Sequence, residues 1–417
     1  TASDFVDMYD ATCKGVWKYE GYIVLDADID FAGFDYNSEK KASVWWSNRG
    51  SASSAGFFIN TTQGNAEEYG GVTAAVTRWL GRADGFTGTF DGRGHIIKNL
   101  SVELYGLFPN IKEGSVFKNV AFVNADVKTS SAVISAAIEG TVENVYIEVS
   151  ADNTWLKIGY IGGVTMALGS TAKLKNVVVA ANFTSPDTVR EDGEKTVSEC
   201  GAIAAAYKNG AMLENVYALS NTGGLFGTYT TNIGGDGYNG SLKAYTEVTS
   251  EIKPAGGFVG FDDKYWNTND TFPIFKNAID FVADKTMVVA GGNDNEIKLS
   301  SASSYADFEL ANVPENLAGY FTLDKDGKTA TVTVSPEIIS EIAVNGRASF
   351  TVCIKYRGTS SAIKEYEIQI VRFNEIDGLT VAKGSANGAG FATGETGLTS
   401  EGETAYLTVL AGGVTIN

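Results

Sequence analysis

The chain has a single histidine, His95, which closes the run FDGRGH beginning at Phe90, with Asp91 four residues before it. An imidazole paired with a carboxylate can act as a general base for a nearby hydroxyl or thiol, but no nucleophile motif accompanies this one. A lone histidine also excludes a metal site built on several imidazoles. Carboxylates offer a second chemistry. Asp84, Asp91, Asp262 and Asp263 sit near expected turns, and Asp26, Asp28 and Asp30 alternate along LDADID. A glycan-cleaving enzyme needs two such groups about 5 to 9.5 Å apart across a groove, and nothing in the spacing brings any two together. The oxygen-rich turns GGDGYNG at Gly234, GGNDNE at Gly291 and DKDG at Asp324 are incomplete as calcium loops. They read as turns, and neither a metal nor a cofactor is expected.

Aromatic side chains on polar loops form the remaining candidate site. Trp45 and Trp46 lie with Phe57 and Phe58 among Ser, Asn and Gly, and Tyr265 and Trp266 occupy a comparable loop. Such rings stack on sugars or anchor a protein interface. The competing reading is that they cover an apolar flank of the fold.

The elements that position these residues are strands. Glycine is abundant, with 48 copies against 6 prolines, so tight turns are expected to be many. A repeated phrase, an apolar residue followed by Lys or Glu, Asn and an alternating strand, reads IKNLSV from Ile97, FKNVAF from Phe117, VENVYI from Val142, LKNVVV from Leu174, LENVYA from Leu213 and FKNAID from Phe275. Its asparagines are Asn99, Asn119, Asn144, Asn176, Asn215 and Asn277, at intervals that lengthen from 20 to 62 residues. The short intervals suit one circuit of a β-solenoid, and the long ones require insertions. A small-residue strand accompanies most copies, as in SAVISAAIEG from Ser131, IGGVTMALG from Ile161, CGAIAAAYKNG from Cys200 and GGFVGF from Gly256. At an inward turn, each asparagine amide can bond the equivalent amide of the next circuit, making a structural ladder.

These phrases, with YIVLDADIDFAGF from Tyr22 and GFTGTFDGRGHIIKNLSV from Gly85, resemble the GLUG-motif repeats and related right-handed β-solenoids of bacterial surface and secreted proteins. The resemblance covers roughly residues 1 to 282. It implies an elongated extracellular scaffold and transfers no catalytic residue, LDADIDF and FDGRGH being part of the structural pattern.

The expected fold is therefore all-β: a right-handed parallel β-solenoid over residues 1–285, an immunoglobulin-like β-sandwich over 286–373, and a Gly-rich β tail or assembly segment over 374–417. An amphipathic N-terminal helix, capped by Ser3 and running to about Cys13, would block the open end of the solenoid. Two-residue alternation in TATVTV from Thr329, FTVCIKY from Phe350 and EYEIQI from Glu365 supports the sandwich, counted at about seven strands.

A net charge of −18 disfavours nucleic acid and anionic lipid as partners. No apolar run approaches the ~18 residues of a membrane span, and the three cysteines, Cys13, Cys200 and Cys353, lack CxxC spacing. The expectation is a non-catalytic structural or adhesive component of a bacterial cell surface or virion, within an oligomeric assembly. Its partners would be a surface glycan or protein receptor, with capsid or sister chains held through the C-terminal region. The rival class is a polysaccharide-cleaving β-helix hydrolase or lyase using acidic groove residues.

Overall fold

A computed structural model describes residues 1–5, 7, 20–33, 85–103, 106–128, 131–152, 160–184, 188–189, 195–196, 199–208, 210–220, 239–245, 256–270, 272–359, 362–373, 409–411 and 414–416. The described residues are mostly strand, and the parallel sheets of the first half are compatible with a β-helix. The longest wall is a parallel stack in which Glu20–Val24, Thr87–Asp91, Val116–Lys128, Thr141–Asp152, Lys173–Thr184, Met212–Ser220 and Asn239–Tyr245 pair in that order. Two further walls are also parallel. One contains Ser131–Ala132, Tyr160–Gly162 and Glu199–Gly201, and the other Phe108–Ile111, Ser135–Ile138, Thr165–Leu168 and Ala204–Tyr207.

Register follows the repeated phrase, with Val145 opposite both Val120 and Val177, and Val177 opposite Val216. Within Val116–Lys128, Phe117, Val120, Phe122, Ala125 and Val127 face one core. The steps of three fall at Asn119 and Asn124, whose φ values of 58° and 54° lie in the left-handed region that asparagine tolerates. Each asparagine thus turns a corner without interrupting the strand. The narrow corner between the other two walls uses glycine for a different reason. A Cβ on Gly162 would lie 1.6 Å from the Thr165 carbonyl oxygen, and one on Gly163 would lie 2.0 Å from that of Ala202.

The lengthening of the repeat is placed selectively. From the repeat that begins at Asn144 to the one that begins at Asn176, all the added length falls between the long wall and the next strand. There Thr188–Val189 and Lys195–Thr196 make a small antiparallel hairpin.

At the start, residues 2–5 are helical, and Phe5 packs edge-on to Phe31 and Phe90 at ring distances of 6.2 and 6.5 Å. The cap is Thr1 rather than Ser3, because Thr1 Oγ1 accepts from the Asp4 amide and donates back to its carboxylate. The expected continuation to Cys13 lies outside the described residues.

Two proposed copies of the repeat lie elsewhere. FKNAID and GGFVGF belong to residues 256–281, where Ile274–Phe275 pairs antiparallel with Trp266–Asn267 instead of joining the stack. Pro273, without an N–H, suits such an edge and not an interior parallel strand. The last unit comprises two four-stranded sheets. Val282–Ala283, Glu296–Ser300, Thr329–Val334 and Phe321–Asp326 pair antiparallel. Met287–Val289, Ala362–Val371, Arg347–Tyr356 and Ala306–Ala311 form the other sheet, its first pair parallel. The strands number eight, and they begin at Val282, ahead of the expected boundary at residue 286. The Gly-rich tail is described only at Val409–Ala411 and Val414–Ile416, an antiparallel pair.

Candidate functional site

The asparagines make a polar spine. Asn119 Nδ2 donates to Asp91 Oδ1 at 2.9 Å, Asn144 to Asn119 Oδ1 at 3.2 Å, Asn176 to Asn144 at 3.1 Å and Asn215 to Asn176 at 3.0 Å. Each residue holds a φ of 53° to 58°. Asn99 stands in a separate spine one corner along, donating to Asp30 Oδ1 at 2.7 Å and accepting from Asn124 at 2.7 Å. The reason is registral: Ile96–Lys98 pairs with residues 121–123, which places Asn99 beside Asn124 instead of Asn119. Asn277 belongs to neither spine and donates to the Gly94 carbonyl at 2.9 Å.

The main spine does not point into the stack, as an inward turn would require. Asn144 Oδ1 accepts from Trp266 Nε1 at 3.3 Å, Asn176 donates to the Gly260 carbonyl at 2.8 Å, and Asn215 donates to that of Val259 at 2.9 Å. All three partners lie in residues 256–281. This segment covers the outside of the corner.

The acidic run LDADID locks the turn FDGRGH. Arg93 donates to Asp26 at 2.6 Å, while His95 Nδ1 lies 3.0 Å from Asp28 Oδ1, which also accepts the Ile96 amide. Lys98 bridges Asp30 at 3.3 Å and Asp280 at 2.8 Å. Burial raises the Asp91 carboxyl, but bonds from Asn119 and the Arg93 amide, the charge of Lys118 and the Tyr22 hydroxyl outweigh it and hold Asp91 below the usual aspartate range. Asp30 is lowered in the same way against its burial by the Ala32 amide, Asn99 and Lys98. Asp262 accepts from the Lys264 amide at 2.9 Å in a local turn. The hydrogen bonds found at Asp26, Asp28, Asp30, Asp91 and Asp262 are those of turn locks, and Asp84 lies outside the described residues.

The aromatic site requires correction. Trp266 is 1% exposed, edge-on to Phe261 and Phe275, and Tyr265 is buried and stacked on Phe275. Neither ring offers a face to a sugar, because both sit between residues 256–281 and the outward side of the long wall. Trp45 and Trp46 lie outside the described residues.

That outward side is itself apolar. Ala121, Val123, Tyr146, Val178, Ala180, Tyr217 and Leu219 share one core with Trp266, Phe272 and Phe275 and with Val332, Val352, Ile354 and Tyr356 of the two-sheet unit. At its centre Glu148, 2% exposed, accepts from Ser303 Oγ at 2.6 Å, the Ser304 amide at 2.5 Å and Ser304 Oγ at 2.7 Å. Burial raises its carboxyl above the usual glutamate range, against the opposing effects of the serines and Lys328. Beside it the Tyr146 hydroxyl donates to that of Tyr356, and Lys328 bonds Asn124. Glu148, Tyr146, Lys98, Asp280 and the serine pair were not singled out in the sequence. For Tyr146 and Glu148 the signal was present in VYIEV, a run apolar on both faces with one acid inside it, because a strand buried on both sides loses its alternation.

The chain matches no protein-family model, no curated protein and no solved structure.

Among the described residues no group of three or more His, Cys, Asp or Glu is placed to hold a metal ion, and no helix is long and apolar enough to cross a membrane. Cys353 is a buried free thiol.

Proposed function

We propose that this chain is a non-catalytic, surface-presented scaffold: a right-handed β-solenoid of GLUG-like repeats joined to an immunoglobulin-like sandwich, displayed outside a bacterial cell or on a virion. It acts by holding its outward loops at fixed positions for a glycan or protein receptor, with capsid or sister chains held at the C-terminal end. The observation that carries this reading is how the repeated polar groups are used. The asparagines and the acids of LDADID and FDGRGH bond one another, the turns of adjacent circuits, or the covering segment. Chemistry on a substrate needs groups held ready for the reacting atoms. The shared core of Tyr146, Trp266 and Tyr356 adds a second support, since a spacer must keep its two units from swinging.

Two assays test the reading. Incubation with a panel of bacterial and plant polysaccharides should release neither reducing ends nor unsaturated products, whereas turnover abolished by Asp91→Asn would overturn the scaffold reading in favour of a hydrolase or lyase. Arrayed glycans and surface proteins should yield a saturable partner whose binding survives Asp28→Asn.

A further inference from the structure

The two-sheet unit has two poles. Tyr356, at the end of Arg347–Tyr356, meets Tyr146 of the stack, while Arg347 at the other end pairs with Val371. Ten residues of strand put the second pole roughly 30 Å away from the contact of Tyr146 with Tyr356. Here large apolar side chains lie open: Val289 is 39% exposed, Ile339 38%, Val344 50% and Phe373 46%. The segments that carry them meet. The Ala290 amide donates to the Val371 carbonyl, and a Cβ on Gly291 would meet Ile339 Cδ1 at 2.8 Å. Arg372 donates through Nη1 to the carbonyls of Ile339 and Ile342 and through its amide to Gly346. Alongside runs Met287–Val289, the end strand of its sheet, with Met287 exposed as well.

We propose that this pole is the docking face for the chain's own C-terminal hairpin, Val409–Ala411 with Val414–Ile416. The chain leaves the unit at Phe373, itself one of these exposed side chains. Residues 374–408, at about 3.3 Å each when extended, give ample length to return to it. The hairpin pairs Val409 with Ile416 and Ala411 with Val414, apolar residues at every one of those positions. Its strands have three residues each, too few for an isolated hairpin to persist in water, so it needs an apolar surface from elsewhere. Val289, Ile339, Val344 and Phe373 are the exposed apolar surface where the tail begins. The inference does not depend on the scaffold reading.

The test uses the full chain carrying a photo-crosslinking amino acid in place of exposed Val344. Irradiation in dilute solution should give an intrachain link to residues 405–417, with the product still migrating as a monomer. Val409→Asp combined with Ile416→Asp should lower the yield at least five-fold. No link to the tail would overturn the proposal. Links only between chains, rising with concentration, would also overturn it and make a second copy the occupant.

Discussion

Tyr146 and Tyr356, 210 residues apart in the chain, meet hydroxyl to hydroxyl at 2.9 Å with their rings edge to face in a fully buried site. One belongs to the parallel stack and the other to the two-sheet unit. Tyr356→Phe should cost about 1 to 3 kcal/mol, because Tyr146 keeps a buried hydroxyl that loses its acceptor. Adding Tyr146→Phe should recover part of that loss. Urea unfolding of the two single variants and the double variant measures the coupling, and strict additivity would mean that the hydroxyls do not interact.

Asn144→Leu should be damaging on two counts at a buried position. It removes an acceptor from Asn176 and Trp266 and a donor to Asn119, and it forces leucine to a φ of 53°. Unsatisfied partners and a strained backbone together cost about 3 kcal/mol. Asn144→Gly should lose only the hydrogen-bond part, so a glycine variant no more stable than the leucine variant would remove backbone strain from the account.

Glu148 predicts a pH dependence of definite sign. Its carboxyl is raised in the folded chain, so the folded state holds the proton more tightly than the unfolded state. This contribution to stability is fully present below the ordinary glutamate value and is lost as pH rises through the raised one. Asp91 and Asp30, both lowered, act in the opposite direction and lose their contribution as pH falls below the usual aspartate range. Thermal unfolding of Glu148→Gln and the parent chain across pH 4 to 8 isolates the first effect. The difference between them should change with pH in that window, and a constant difference would show that Glu148 keeps its ordinary titration.

Trp266→Ala should destabilise by about 3 to 5 kcal/mol, as for other large buried rings. It should also raise amide exchange on both sides of the seam, at residues 144–149 and at 301–306. A surface tryptophan waiting for a sugar would show neither effect.

A chain ending at Phe373 should keep its strand content by circular dichroism, because the residues of both described cores precede Arg372. Loss of the far-ultraviolet strand signal would mean that the C-terminal segment supports the fold itself. The proposed docking predicts a narrower change, increased binding of a hydrophobic dye at the exposed pole.

Much of this was legible in the residues. The repeated Asn-Val phrase located the stacked parallel strands from Asn119 to Asn215, since a left-handed turn before an alternating strand leaves a mark in sequence. Alternation in TATVTV and EYEIQI located strands of the two-sheet unit. Asn99 was grouped with the wrong spine because the phrase IKNLSV has the same letters at a different register, and register depends on pairing between circuits. FKNAID was read as another circuit for a similar reason, with Pro273 the overlooked counter-signal. Trp266 and Tyr265 were equally ambiguous. A ring among Ser, Asn and Asp looks exposed until a second surface, here the apolar outer side of the long wall, is known to lie against it.

The corner that absorbs the added residues separates sequence length from pitch. Repeats of 32 and 39 residues pair with their neighbours in the same register, so strand-to-strand spacing stays at about 4.8 Å however much chain is spent at that corner. Lineages of this protein could therefore exchange, lengthen or diversify the segments after Asp152 and Thr184 without disturbing the asparagine spine or the seam beneath residues 256–281. Variable sequence would then project at regular intervals from an invariant frame, and foreign peptides grafted there would inherit the same spacing.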